Sequence, residues 1–348
     1  WDKISGKLST FSARIVLTAH PTQFYTPAVL DIISNLRELI PQNKINDIDV
    51  TLQQLGLTSL INAKKPTPLD EAKNIIYILR NVYYDAIGDL YAYIKDNIDE
   101  TDFENHNIVK LGFWPGGDRD GNPFVTADIT KDVADELRIN LMKCYYNDLK
   151  ALIQKLTFRE VQDPIFLLRN RLYKAMFDPN ESITYNEILD PLLEIRQLLV
   201  DKYHNLYLKE LDHLIDKVKI FKTHFATLDI RQDHSMHKKV VEEILKANGL
   251  VSESIDELGK SELVELLLHK DLKDDIVKDT IANISQLKGI QDKNGEAGCN
   301  RYIISNSEDI FSILFVYGLF RWCGWKANDI TFDIVPLFET MHGMATSE

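Results

Sequence analysis

The sequence predicts an α/β protein, mostly helical by residue count, built on a parallel sheet. Three observations carry this. Five short apolar runs, at 14–20, 108–114, 225–231, 301–305 and 333–339, read as strands. Each runs into polar or ionisable residues. Long helical segments separate them, and strand–helix alternation makes neighbouring strands parallel. Polar groups gathered at strand C-terminal ends mark one face of a barrel or of a doubly wound sheet. Five strands are too few to close a (β/α)8 barrel.

In the first run Ile15, Val16 and Leu17 read as a buried strand, His20 stands at its tip, and Pro21 stops the extended segment. Thr26 is an N-cap and Pro27 a first helical residue for a helix to Ile40, with Val29, Ile32, Ile33 and Leu36 in its stripe. Residues 41–66 are polar with scattered leucines and predict loop and short helix. Thr67, Pro68 and Asp70 open a long amphipathic helix to about residue 97. The periodicity predicts further helix over 126–156, 163–176 and 183–222. His234 to Ala247 carries Val240, Val241, Ile244 and Leu245 on one face and ends at Asn248-Gly249. Acid- and lysine-rich helices follow over 253–288, then a polar loop at 291–298 and a helix at 308–323.

The chain has 348 residues, 45% of them hydrophobic, and a formal net charge of −13. That charge argues against a general nucleic-acid or anionic-membrane binder. An anionic substrate needs locally placed arginines or a metal. Three cysteines without a CxxC spacing argue against a disulfide framework or a cysteine zinc site and favour a reducing cytosol. No apolar run approaches the roughly 18 residues that span a bilayer. The start does not resemble a signal peptide, and Trp1 in place of methionine points to a cut or processed start. The chain contains no internal repeat.

The densest chemical signal is Gly116-Gly-Asp-Arg-Asp-Gly-Asn-Pro123. Glycines let backbone approach a ligand, and Arg119, between Asp118 and Asp120, can fork onto a phosphate or carboxylate. The same residues also suit a tight surface turn. They match neither the dinucleotide fingerprint nor the P-loop. Asp229 and Arg231 are two apart on a strand and share a face, either as a structural salt bridge or as site groups. Arg231 is the better phosphate ligand, its charge permanent and its donors paired. Glu339 ends the last strand; Mg²⁺ commonly takes one or two carboxylates plus water and substrate oxygens. His234 and His237 are expected on a solvated helix face. Trp114, Trp322 and Trp325 are expected in core or pocket wall, because no basic patch accompanies them.

Taken together, VLTAHPTQ at 16–23, PTPLDEA at 66–72, FWPGGDRDGNPFVT at 113–126, LDIRQ at 228–232 and PLFET at 336–340 resemble phosphoenolpyruvate carboxylases in motif, order and approximate spacing. The resemblance implies an internal segment of a longer chain: a helix-decorated (β/α)8 barrel with about five of eight strands. Residues 1–348 then form a single incomplete barrel domain with helical insertions at about 27–107, 127–222 and 234–298. The implied reaction joins phosphoenolpyruvate and bicarbonate to give oxaloacetate and phosphate, feeding the citric acid cycle. By the same resemblance His20 lies at the carboxylation centre and Arg231 holds phosphate. Trp114 and Leu337 line the apolar pocket, with Arg119 also at the substrate. Glu339 is one of two carboxylate ligands to Mg²⁺ or Mn²⁺. Asp118, Asp120 and Asp229 belong to the signatures without assigned roles. A cytoplasmic homo-oligomer, a tetramer in the family, is implied, with no nucleic-acid or membrane partner.

The chain departs from the family pattern where a pair of arginines of a sugar-phosphate activator site follows the HPT motif; here Thr26 and Pro27 stand instead, so that site is expected to be absent. Trp114-Pro115 replaces the usual Trp-Met. The second metal carboxylate, a glycine-rich loop with its own histidine and arginine, and an aspartate inhibitor site belong to later segments of the family. The isolated segment is therefore expected to be inactive. Two rivals remain at this stage: another phosphoenolpyruvate-handling enzyme with a metal-stabilised enolate, and a non-catalytic helical scaffold.

Overall fold

The computed structural model describes residues 6–18, 25–60, 66–98, 103–178, 181–272 and 279–347. Among them lie five parallel strands, β1 (Ala13–Leu17), β2 (Val109–Phe113), β3 (Thr227–Asp233), β4 (Arg301–Ser305) and β5 (Asp333–Pro336). The sheet order is β1-β2-β3-β4-β5, each strand pairing with its predecessor in the chain. The register sets Arg14 beside Lys110, Asp229 beside Arg301, and Arg301 beside Asp333. Every crossover is helical, so the molecule is a mostly helical α/β protein.

Helices α1 (Pro27–Leu39), α2 (Ile45–Leu57), α3 (Pro68–Ile78) and α4 (Tyr84–Asn97) separate β1 from β2. Thr67 and Asp70 form a reciprocal capping box at the start of α3. The helix expected to run unbroken to residue 97 is interrupted by a π-helical turn at Leu79–Tyr83. The polar 41–66 stretch holds a full helix, α2. Between β2 and β3 lie α5 (Ala127–Ile153), α6 (Arg159–Phe177), α7 (Tyr185–Lys202) and α8 (Leu208–Phe221). The predicted 183–222 helix is thus two, split where His204, Asn205 and Tyr207 take left-handed backbone angles. After β3 come α9 (His234–Ala247), α10 (Lys260–His269) and α11 (Asp279–Asn294). Helix α11 consumes the first part of the expected 291–298 loop, its Gln291 and Asn294 being buried. Helix α12 (Ile310–Trp322) lies between β4 and β5, and α13 (Met341–Thr346) ends the described chain.

One continuous core runs from Ala72 on α3 through α5–α9 to Phe320 and Trp325. The expectation of a buried first strand is corrected. Ile15 and Val16 are 40% and 38% exposed, β1 pairing only with β2 among the described residues. Inside the helical layer Lys217 is 5% exposed in its side chain and ion-pairs with Asp85 at 2.8 Å and Asp148 at 3.2 Å. Its ammonium lies 4.3 Å from the centre of the Tyr84 ring, and the Tyr84 hydroxyl donates to Asp148 at 2.8 Å. Gly88 makes the room: a Cβ there would stand 2.7 Å from the Lys217 Cε.

Candidate active site at the carboxyl ends of the strands

The loop after β2 is held against the end of β3. The Trp114 amide donates to the Leu17 carbonyl at 2.9 Å, extending the β1–β2 ladder. Gly117 and Asp118 amides both donate to the Trp114 carbonyl at 2.8 Å, which curls the chain back. Gly116 allows the curl with a φ of +79°, and the Thr130 hydroxyl donates to its carbonyl. The Arg119 amide then donates to the Arg231 carbonyl at 2.8 Å, and the Arg231 amide to the Gly117 carbonyl at 2.9 Å. Gly117 is obligatory here, because a Cβ would stand 2.1 Å from the Asp229 carbonyl oxygen.

This backbone clamp brings side chains from three strand ends together. Arg231 Nη1 meets Asp118 Oδ2 at 3.1 Å, and Nη2 meets Asp120 Oδ2 at 3.0 Å and Glu339 Oε1 at 3.5 Å. The guanidinium carbon lies 5.4 Å from the Trp114 ring centre. Arg231 Nε is buried and makes no hydrogen bond. Burial raises the Asp118 pKa above the usual carboxylate range, against the pull of Arg231. Burial would lower the Arg231 pKa, but Asp118, Asp120 and Glu339 outweigh it and raise it. Three carboxylates thus surround one guanidinium, a local excess of two negative charges.

Asp229 faces the same side of β3 and is 1% exposed. Its carboxylate accepts two bonds from Arg14 Nη2, at 2.6 and 2.8 Å, and one from Trp114 Nε1 at 3.1 Å. Burial nevertheless raises its pKa. Arg14 was not singled out in the sequence; alternation along β1, opposite a strand bearing an acid, was the available signal.

The other expected residues divide. Leu337 continues the ladder from β5, its amide donating to the Ile304 carbonyl and its carbonyl accepting from Ser307, and its side chain is exposed. Arg119 points away from Arg231 and ion-pairs with Asp279, whose other carboxylate oxygen accepts from the Ala127 amide at the start of α5. Alternation within the loop separates it from Asp118 and Asp120. His20 lies outside the described residues. His234 and His237 are not on a solvated face; both are buried, and His237 bonds the Tyr302 hydroxyl at 2.9 Å. Burial lowers the His237 pKa to about 3.

Comparison with known proteins decides the ancestry of this arrangement. The family model described as phosphoenolpyruvate carboxylase matches residues 2–174 and 168–348. The chain belongs to the phosphoenolpyruvate carboxylase family. A phosphoenolpyruvate carboxylase of Vibrio atlanticus is 26% identical over 385 residues, covering 96% of this chain and 43% of that protein. The Trichormus variabilis enzyme of the same name is 27% identical over 434 residues, covering 99% of this chain and 42% of that protein. The chain therefore spans less than half the length of these phosphoenolpyruvate carboxylases.

The family implies a divalent metal. Among the described residues no group of three His, Cys, Asp or Glu side chains is arranged to hold one. Glu339 fits as a single hard-oxygen ligand: it is partly exposed at a strand end, and only a long contact ties it to Arg231. Among the described residues no helix is long and apolar enough to cross a membrane.

Proposed function

We propose that this chain is part of a phosphoenolpyruvate carboxylase, and that its five strands are five of the eight in a (β/α)8 barrel. Residues 1–348 form one incomplete barrel domain with long helical insertions. The observation that carries this reading is the meeting of Trp114, Asp118, Asp120 and Glu339 around Arg231, at the carboxyl ends of the parallel strands β2, β3 and β5.

A bicarbonate oxygen attacks the phosphorus of phosphoenolpyruvate, and the bond from phosphorus to the enol oxygen breaks. The carboxyphosphate so formed gives up CO2 and phosphate, and the enolate carbon attacks the CO2. Arg231 holds the phosphate: its Nη groups exchange Asp118 and Asp120 for phosphate oxygens. Trp114 and Leu337 exclude water from the carbon that captures CO2. His20 accepts the carboxyphosphate proton, a task suited to an imidazole near neutral pH. A divalent ion, Mg²⁺ or Mn²⁺, with Glu339 among its ligands, supplies positive charge to the developing enolate. The two excess negative charges around Arg231 repel an anionic substrate, so these residues do not suffice alone. Further cationic groups come from the rest of the parent chain, and the isolated segment is inactive. The parent is a cytoplasmic tetramer.

The test is oxaloacetate formation from phosphoenolpyruvate, bicarbonate and Mg²⁺ by the intact parent polypeptide, wild type against His20→Asn. The expected loss is about a thousandfold, with residual cleavage to pyruvate and phosphate placing His20 at CO2 capture. A folded parent that forms no oxaloacetate would refute the carboxylase reading. Product formation without bicarbonate would point to a different enolate chemistry.

A further inference from the structure

We infer that Asp229 and Arg14 are a positioning pair that fixes the Trp114 indole and, through it, the Arg231 guanidinium. The inference rests on the reading that Arg231 holds the substrate phosphate. It gives a task to one signature acid and to an arginine outside every motif.

The chain of contacts is short and complete. Arg14 on β1 binds Asp229 on β3 across β2, which lies between them. Gly112 on β2 leaves the passage open: a Cβ there would stand 2.9 Å from both Nε and Nη2 of Arg14. A carboxylate so deeply buried is tolerable only when paired, and two bonds from Arg14 supply that pairing. The remaining directed bond comes from Trp114 Nε1. Rotating the indole out of its plane would break that bond inside the protein. The ring therefore presents one face, and Arg231 lies against it. Asp118 and Asp120 hold its two Nη groups. Wall and carboxylates together define where its forked donors point. Neither Asp229 nor Arg14 needs to touch substrate for this to work.

Two variants of the intact parent test it. Asp229→Asn removes the charge that holds Arg14. Trp114→Phe keeps an aromatic face but removes the Nε1 donor. Asp229→Asn is expected to raise KM for phosphoenolpyruvate by about tenfold with kcat changed by less than about threefold, since the phosphate ligand is misaimed rather than lost; Trp114→Phe, which also reshapes the pocket wall, is expected to raise KM as far and to lower kcat as well. The double variant should raise KM by no more than the larger single effect, because both break the same link. A merely structural role would lower the active fraction and kcat while leaving KM unchanged. If Asp229→Asn fails to fold, Trp114→Phe alone decides. Unchanged KM in an active enzyme overturns the positioning role and leaves the carboxylase reading standing. A wild-type parent without oxaloacetate formation removes both.

Discussion

Arg231 and Lys217 are each a cation among carboxylates, and they are opposites in how that company is arranged. Lys217 has two ion pairs, an aromatic face, and a hydroxyl that ties down one of its acids. Arg231 has three acids at distances from 3.0 to 3.5 Å. Charge is balanced more closely at the first and oversupplied at the second. A network built for stability closes on itself. One built to take a ligand carries more acids than its cation needs and holds them loosely enough to exchange.

Substituting the two cations in the intact parent tests this contrast most severely. Arg231→Gln is expected to cut kcat/KM for oxaloacetate formation by about a thousandfold, about 4 kcal/mol of transition-state stabilisation, with little change in the urea midpoint. Lys217→Met should do the reverse, lowering stability by about 3 kcal/mol while the folded fraction keeps its kcat/KM. Equal stability losses from both would erase the distinction.

The glycines beneath the two cations sharpen it. At Gly117 an added methyl meets the backbone oxygen of Asp229, which has nowhere to go. Gly117→Ala should pull the loop from β3, costing about 3 kcal/mol of stability and most of the activity. At Gly88 the methyl meets methylenes of the Lys217 side chain, which must loosen its ion pairs to move, while alanine favours the helix. Gly88→Ala should lower stability by about 1 kcal/mol in urea unfolding.

A smaller effect separates buried histidines from the site. Burial lowers both His224 and His237 to about 3. Unfolded, each titrates near its ordinary 6.5. The folded state binds fewer protons between these values, so the stability is present above pH 6.5 and is lost as pH falls toward 3. At pH 5 the loss relative to pH 7.5 should be about 2 kcal/mol per histidine, read from urea midpoints. Replacing His237 with Phe should about halve this acid limb without reshaping the pH profile of kcat.

The parts of the chain that were legible are those where local pattern and tertiary role agree. The fourth strand, 301–305, and the helix 234–247 fall where periodicity predicts them. The motif residues around Arg231 could be placed at strand ends from the sequence, but a tight turn or a structural salt bridge fitted the same residue types. Failures came where distant partners decide. His237 reads as a surface residue until Tyr302, 65 positions away, supplies its hydrogen bond. Ile15 and Val16 read as core, yet both are half open. The break between α7 and α8 uses His204, Asn205 and Tyr207 in left-handed conformations, with neither glycine nor proline to announce it. Arg119 and Asp118 are neighbours in sequence but face opposite ways, which no composition argument can separate.

The sequential strand order has a consequence for how the polypeptide is made. Each strand pairs with the one before it, so the sheet can grow at the ribosome one edge at a time. About 90 residues separate β1 from β2, and at ordinary elongation speeds this interval lasts on the order of ten seconds. Throughout it β1 waits for β2, the partner it has in the sheet. That pause is when a nascent-chain chaperone would have most to protect, and when codon choice within α1–α4 would weigh most on yield.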